Sequence, residues 1–423
     1  MSEPGEAARR AALQLLNDVT GDRRLLAEAE PERLVSLPPE DRARAARLAQ
    51  ETLRWMDRAD RMLGPRLRQK PPLEIHNILR LALVEHFQMG TPAHAAVNGG
   101  VGCVPKGEHR KSLAGLVNAI LRRLVGKQED WDALPIPQLP KWLRKLLRDT
   151  YGKEVVFAIE RAHAGGAPID LTLKSNADIP EGLNGKTLPT GSFRILDRPQ
   201  ISALPGFAEG AWWVQDAAAA LPARILDAKP GESVLDLCAA PGGKTMQLAL
   251  AGAKVKALDI SDKRLQRLRE NLERTALHAD VVVEDALTYQ PEEKFDAILL
   301  DAPCSATGTI RRHPDLPYAK DGSELQSLAS LQSRLFDHAW RLLAPGGRMV
   351  FCTCSLLPQE GEDQVEAALS RHSDMSADTE ILNVPGIDPA WIGAHGLRTR
   401  PDFWPHLGGM DGFFIALLRK RAA

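Results

Sequence analysis

Two cysteines of this chain stand where apolar, strand-like runs end: Cys304 in "ILLDAPCSATG" and Cys354 in "MVFCTCS". Such a cysteine is a disulfide half, a metal ligand or a free thiol. The chain has 5 cysteines, and its opening "MSEPGEAARRAALQLL" reads as a helix rather than a secretory signal. An odd count without a signal argues against a disulfide framework. Cys352 and Cys354 form C-x-C, but no second pair completes a zinc site, so no metal is expected. Cys304 and Cys354 remain as candidate nucleophiles, reactive as thiolates. Cys103 and Cys352 read as small buried hydrophobes.

A second motif, "LDLCAAPGGKT" from Leu235 to Thr245, ends a buried strand and opens a helix. Gly242 and Gly243 let a ligand approach the backbone closely, and amides at a helix start face polar groups. A phosphate loop needs G-x-x-x-x-G-K-[ST]. Gly243, Lys244 and Thr245 fit it, but its first glycine falls on Cys238. The dinucleotide pattern G-x-G-x-x-G is also absent, and Ala239, Ala240 and Pro241 suit neither. A nucleoside-type cofactor remains. Asp259 ends the next strand, 17 residues past Gly242, where a carboxylate can accept from both ribose hydroxyls. As an N-cap of the following helix it has a rival in Ser261. Asp285, after the third strand, can meet an adenine amino group. Together these three strand ends point to S-adenosylmethionine.

A thiol beside a methyl donor suits one reaction. Carbon 5 of a pyrimidine is a poor nucleophile. A thiolate added at carbon 6 makes carbon 5 enamine-like, so that it can take a methyl group, and one hard step becomes two easier ones. Cysteine both adds and departs. Asp301, three residues before Cys304, can protonate or hydrogen-bond the ring nitrogen, and Lys244 can add a contact.

These side chains need strands to hold them. From about Ala203 the pattern alternates: strands in "ESVLDLC", "AKVKALDIS", "DVVVEDAL", "FDAILLDAPC", "RMVFCTCS" and "GFFIALLRK", with helices between, the longest "LQSLASLQSRLFDHAWRLLAPGG" stopped by Pro-Gly-Gly. This predicts a parallel sheet covered on both faces, with ligands beyond its carboxyl ends. Cys304 follows the fourth strand and Cys354 ends the fifth. In a methyltransferase-type sheet these two strands are neighbours, about 4.8 Å apart, so both sulfurs could reach one substrate atom. Residues 1 to about 130 show apolar positions at helical spacing. "LPIPQLPKW" reads as a linker, "PKWLRKLLRDTYG" as a helix, and "PIDLTLKSN" and "GKTLPTGSFRILDRP" as short strands.

The 423 residues are 44% hydrophobic and 26% charged, as in soluble globular proteins of two or three domains. No apolar run nears the roughly 18 residues of a membrane helix, so a cytoplasmic monomer without membrane contact is expected. The net charge of −1 hides a basic block: residues 54–127 hold 13 Lys/Arg against 5 Asp/Glu, while residues 1–53 hold 8 against 10. That block suggests a polyanion partner or a solvated helical face. Arg311 and Arg312 in "TIRRHPD" are further candidates for phosphate contacts.

"LDLCAAPGGKT", "DAPCSATGTIRRHPD", "PGGRMVFCTCSLLPQE" and "WPHLGGMDGFFIALL" resemble the RNA cytosine-5 methyltransferase family, the Nop/Sun/RsmB group. The resemblance runs from about Ala203 to the C-terminus. It implies a Rossmann-like, S-adenosylmethionine-dependent α/β domain with a mostly parallel seven-stranded sheet. It also implies Cys354 as nucleophile, Cys304 assisting release, and cofactor contacts from Cys238, Ala239, Ala240, Pro241, Gly242, Gly243, Lys244, Asp259, Asp285 and Asp301. "LRWMDRADRML", "IHNILRLALVEHFQMGTPAHAAVN" and "LAGLVNAILRRL" resemble the all-α NusB-like RNA-binding domain. The implied domains are 1–135 (NusB-like), 136–202 (a small α+β linker subdomain) and 203–423 (methyltransferase). The implied substrate is RNA, specifically 16S ribosomal RNA. The alternatives are a tRNA cytosine-5 methyltransferase and a non-catalytic RNA-binding assembly factor. Two stretches depart from the family: Lys174 in "LTLKSN" stands near an expected arginine, and "PQEGED" replaces "PEENE".

Overall fold

The first 165 residues lack strand-like alternation, and they fold as helices: α1 (Glu6–Thr20), α2 (Leu26–Arg33), α3 (Pro39–Leu63), α4 (Leu73–Phe87), α5 (Ala93–Gly102), α6 (Arg110–Leu124), α7 (Gln128–Ala133) and α8 (Lys141–Gly165). The structure, a computed structural model, describes residues 5–67, 69–175, 178–196, 200–382 and 384–422. Proline starts several of these helices: Pro38, Pro72, Pro92 and Pro140 occupy the N-caps of α3, α4, α5 and α8 with extended ψ. Its fixed φ and missing N–H suit a position outside the hydrogen-bond ladder. Helix α4 buries residues on every face. Its Leu79 and Leu83 cluster with Leu63, Val117, Leu121 and Trp131, and a second cluster joins Leu15, Leu16, Leu48 and Leu53. The buried Arg9 guanidinium meets Glu85 at 2.8 Å. Gly99 leaves room for it, since a Cβ there would fall 2.8 Å from Arg9 Nε. Helix α8 breaks at Gly152 (φ 81°), where the expected helix ends, but a second helical stretch continues to Gly165.

The chain forms two compact units: residues 1–166 with 310–322, and residues 167–309 with 323–423. Helix α8 therefore belongs with the N-terminal helices, and residues 167–202 belong with the C-terminal unit.

In the second unit β1 (Asp170–Leu173), β2 (Gly185–Thr187), β3 (Phe193–Ile195) and β4 (Trp212–Val214) form an antiparallel sheet in the order β2-β3-β1-β4. Leu171, Phe193, Ile195 and Trp212 make its core. Arg194 and Asp170 form a bidentate pair at 2.6 and 2.7 Å, both almost fully buried. Lys174 donates to the carbonyl of Thr275 at 2.7 Å, so it serves as a tie within this unit.

The large sheet comprises β5 (Ser233–Leu237), β6 (Lys254–Asp259), β7 (Asp280–Val283), β8 (Phe295–Asp301), β9 (Leu343–Thr353), β10 (Met375–Ala377), β11 (Leu397–Thr399) and β12 (Phe413–Lys420). Among the described residues its path, β10-β12-β9-β8-β5-β6-β7, has seven strands; an eighth, β11, pairs with β12. Strands β5 to β9 are parallel, and β12 is antiparallel to β9. Helices α9 (Leu221–Leu226), α10 (Gly243–Leu250), α11 (Asp262–Thr275), α13 (Leu325–Leu342) and α14 (Glu362–Arg371) complete this unit, while α12 (Leu316–Ala319) belongs to the first. The Pro-Gly-Gly run does not follow the long helix as a loop: α13 ends at Leu342 and β9 starts at Leu343. Pro345, Gly346 (φ 78°) and Gly347 are absorbed as an irregularity opposite Phe295 and Ala297. Pro lacks a ladder donor and Gly accepts positive φ, the chemistry of a bulge.

Asp170→Ala should leave the Arg194 charge buried and unpaired, at a cost of about 3–5 kcal/mol. A fall in the urea midpoint of unfolding checks it, and replacing both residues by apolar ones should cost less.

Candidate active site

Strand β5 runs beside both β8 and β6, and the chain reverses direction across the sheet between them. That crevice at the carboxyl ends is where an open α/β sheet binds ligands. The loop from Cys238 to Gly243 occupies it. Cys238 takes a left-handed conformation (φ 61°), and Gly242 N donates to Ala239 O at 2.8 Å. Gly242 itself has φ 103°, and a Cβ there would fall 2.3 Å from Leu268 Cδ1, so only glycine lets α11 lie against the loop. Burial, then the nearby Asp301 and Asp259, push the Cys238 thiol upward, which marks it as a packing residue rather than a nucleophile.

The acidic residues expected around this loop fall at three successive strand ends. Asp259, ending β6, is 2% exposed; its Oδ2 accepts from Ala240 N at 3.2 Å and its Oδ1 from Ser261 N at 3.0 Å. Arg264 braces the same loop through Ala240 O at 2.7 Å. Ser261 is the N-cap of α11, its hydroxyl accepting from Arg264 N. Asp259 is thus free of the capping role and holds the loop backbone instead. Asp285 is exposed past β7, with Oδ1 accepting from Leu287 N at 2.9 Å.

Asp301 ends β8. Its Oδ2 accepts from Lys244 Nζ at 2.8 Å, and its Oδ1 faces the Cys352 thiol at 3.5 Å. Lys244 lies 5.3 Å from the centre of the Phe413 ring. Burial alone would lower the Lys244 ammonium, yet Asp301, Cys352 and Asp236 together raise it, so it stays charged. Burial pushes the Cys352 thiol well up, in keeping with its place in the core. Asp236, on β5, was not anticipated. It is fully buried, accepts from Thr245 Oγ1 at 2.6 Å, and burial raises it to about 7.

The sulfurs of Cys304 and Cys354 are 3.4 Å apart. Parallel pairing of β8 with β9 sets Asp301 opposite Cys352, and the two loops then leave the sheet side by side. Gly308 N donates to Cys354 O at 2.9 Å. A Cβ on Gly308 would fall 2.0 Å from Gly412 O, so this crossing requires a bare backbone. The hydrogen bond with Cys354, followed by burial, raises the Cys304 thiol well above its ordinary range. Glu360, in the run that departs from the family pattern, is fully buried behind both loops. Its burial had no signature in hydrophobic periodicity. Among the described residues no cluster of His, Cys, Asp or Glu can hold a metal ion, and no helix is long and apolar enough to cross a membrane.

The basic residues divide into two sets. Arg58 donates to Leu134 O and Pro135 O, and Arg80 pairs with Asp60, both largely buried. Arg311 is fully buried, so the phosphate contact expected of it is not available at the surface. Lys70, Lys106, Arg110, Lys111, Arg122 and Arg123 are exposed.

A sheet reversing beside a glycine loop, with carboxylates at successive strand ends, defines a Rossmann-like methyltransferase that uses S-adenosylmethionine. Residues 223–419 match the family described as 16S rRNA methyltransferase RsmB/F, and residues 6–126 match the NusB family. The ribosomal RNA small subunit methyltransferase B of Vibrio vulnificus is 35% identical, covering 98% of this chain and 99% of that protein. Its namesake from Pseudomonas syringae pv. tomato is 37% identical, covering 98% and 97%. The crystal structure of a methyltransferase homologue from Pyrococcus horikoshii, 29% identical, superposes with a TM-score of 0.55 over 66% of this chain and 95% of that one. The chain belongs to the ribosomal RNA small subunit methyltransferase B family.

Gly242→Ala should weaken S-adenosylmethionine binding at least tenfold, measured by calorimetry, because it forces both the loop and Leu268 to move. Asp236 gives a pH prediction. Burial lifts it from the ordinary 3.8 to about 7 in the folded protein. The stability it contributes is complete below the lower value and is lost as pH rises through the upper one. Asp236→Asn should flatten that part of the stability profile between these limits in urea titrations.

Proposed function

We propose that this chain methylates carbon 5 of a cytosine in 16S ribosomal RNA through a covalent adduct on Cys354. The observation that carries this reading is the 3.4 Å separation of the two sulfurs beside the Asp301–Lys244 pair. The loop 238–244 with Asp259, Asp285 and Asp301 suits a cofactor with ribose, adenine and a cationic centre, since its backbone amides donate and its carboxylates accept. S-adenosylmethionine, when bound there, supplies an electrophilic methyl group.

The chain's own residues do the rest. Cys354 adds as a thiolate to carbon 6, placing electron density on carbon 5. Asp301, held by Lys244, passes a proton from solvent to the ring nitrogen as the sulfur adds and takes it back as the sulfur departs. After methylation the carbon-5 proton leaves to solvent, its electron pair re-forms the ring double bond, and the Cys354 sulfur departs. Cys304, kept as a thiol, hydrogen-bonds the departing sulfur. Carbon 6 is shielded in a stack, so the target cytosine is unpaired or extruded. The exposed basic residues of α6 and its flanks hold phosphates, which makes binding fall steeply with salt.

Cys354→Ala should abolish transfer of labelled methyl to 16S RNA while leaving cofactor binding within about twofold. Cys304→Ala should accumulate a protein–RNA adduct, visible as a band shift on a denaturing gel. Reversed behaviour of the two variants would overturn the assigned roles. Methyl transfer to tRNA instead of ribosomal RNA would favour a tRNA enzyme, and no transfer to any RNA a non-catalytic assembly factor.

A further inference from the structure

One carboxylate lies behind both thiols. Glu360 is fully buried in a short turn after β9. Its Oε1 accepts from Ser305 N at 2.9 Å and from Gln332 Nε2 at 3.1 Å. Its Oε2 accepts from the hydroxyls of Ser305 at 2.5 Å and Ser355 at 2.6 Å. Ser305 follows Cys304, and Ser355 follows Cys354. The backbone oxygen of Glu360 takes the hydroxyl of Thr353, the residue before Cys354, at 2.8 Å. Thr307 and Ser355 add a hydroxyl contact at 3.2 Å, and Thr307 accepts from Leu356 N at 2.9 Å. Two loops 50 residues apart in sequence are thus fastened to a single side chain.

The donors to this carboxylate are neutral. A buried charge is costly unless its hydrogen bonds are satisfied, and four donors surround this one. The charge has a geometric reason. Donors approach both oxygens, and an amide in the same place would present an N–H₂ group to one set of them. Glutamine therefore cannot reproduce the clamp.

We propose that Glu360 is a positioning residue of the methyl transfer: its carboxylate sets the spacing of the two sulfurs and keeps the proton on Cys304, leaving Cys354 to attack. This rests on the cysteine chemistry proposed above. It agrees with the state of Cys304, whose thiol is held up by its hydrogen bond with Cys354, by burial, and by the charges of Cys354 and Glu360. No metal, oxidant or second chain is needed.

The test uses the full-length protein with Glu360→Gln, alongside Cys354→Ala and Cys304→Ala. Three quantities are measured: cofactor binding by calorimetry, kcat and KM on 16S RNA, and the pH profile of Cys304 alkylation by iodoacetamide in a Cys354→Ser background. Glu360→Gln should keep cofactor binding, lower kcat about 100-fold, as a misplacement of about 1 Å does, and leave KM within a few fold. It should also move Cys304 alkylation to lower pH, which a purely structural loosening would not do selectively. A kcat within twofold of wild type, or an unchanged alkylation profile, overturns the proposal. If Glu360→Gln loses cofactor binding or fails to fold, Ser355→Ala decides. It removes one donor and keeps the charge, so a kcat loss with cofactor binding intact supports the clamp and wild-type kcat overturns it. Activity retained by Cys354→Ala would instead defeat the cysteine chemistry itself.

Discussion

The parallel pairing of β8 with β9 is the constraint on which the site depends. It sets Asp301 opposite Cys352 and makes the loops carrying Cys304 and Cys354 emerge together. Backbone hydrogen bonds supply the coarse alignment, and side chains supply the rest. A slip of one residue would send Cys354 to the opposite face of the sheet. The register is protected from both sides, since β8 also pairs with β5 and β9 with β12. Phe351, buried beside Phe336 and Phe414, anchors the middle of β9 in the core.

Around that alignment the interior holds a group of polar side chains. Asp236, Lys244, Asp301, Glu360, Ser305, Ser355 and Thr307 all lie in or close to the core, and each takes part in at least one side-chain hydrogen bond. Each would be expensive alone, and together they allow one arrangement of the loops. The glycines at 242, 308 and 412 act in the same sense by letting backbone and helix approach where a Cβ would collide.

Much of this was legible in the residues. Apolar runs ending in "LCAAPGG", "DAPC" and "CTCS" marked strand ends, and alternation with amphipathic helices marked a parallel sheet. The meeting of the two cysteines followed from taking the strands before them as neighbours, as in a methyltransferase-type sheet. What escaped has physical causes. β4, β10 and β11 are three residues each, too short to carry a period. The Pro-Gly-Gly run reads as a stop because its chemistry suits a loop and a bulge equally. Charge counting treated Arg58, Arg80 and Arg311 as surface, whereas burial depends on partners distant in sequence. Glu360 and Asp236 were invisible for the same reason: a buried carboxylate is specified by donors elsewhere in the chain.

The order in which the polypeptide is made bears on its helical unit. Residues 310–322 complete that unit, with Asp315 accepting from Leu26 N at 2.9 Å, Pro317 from Trp142 Nε1 at 3.1 Å, and Ala319 in the core beside Leu16 and Leu48. A ribosome that has released only the first 166 residues has therefore not yet delivered every part of their fold. The last piece arrives directly behind the Cys304 loop, so the helices reach their final form only while the catalytic sheet is itself emerging.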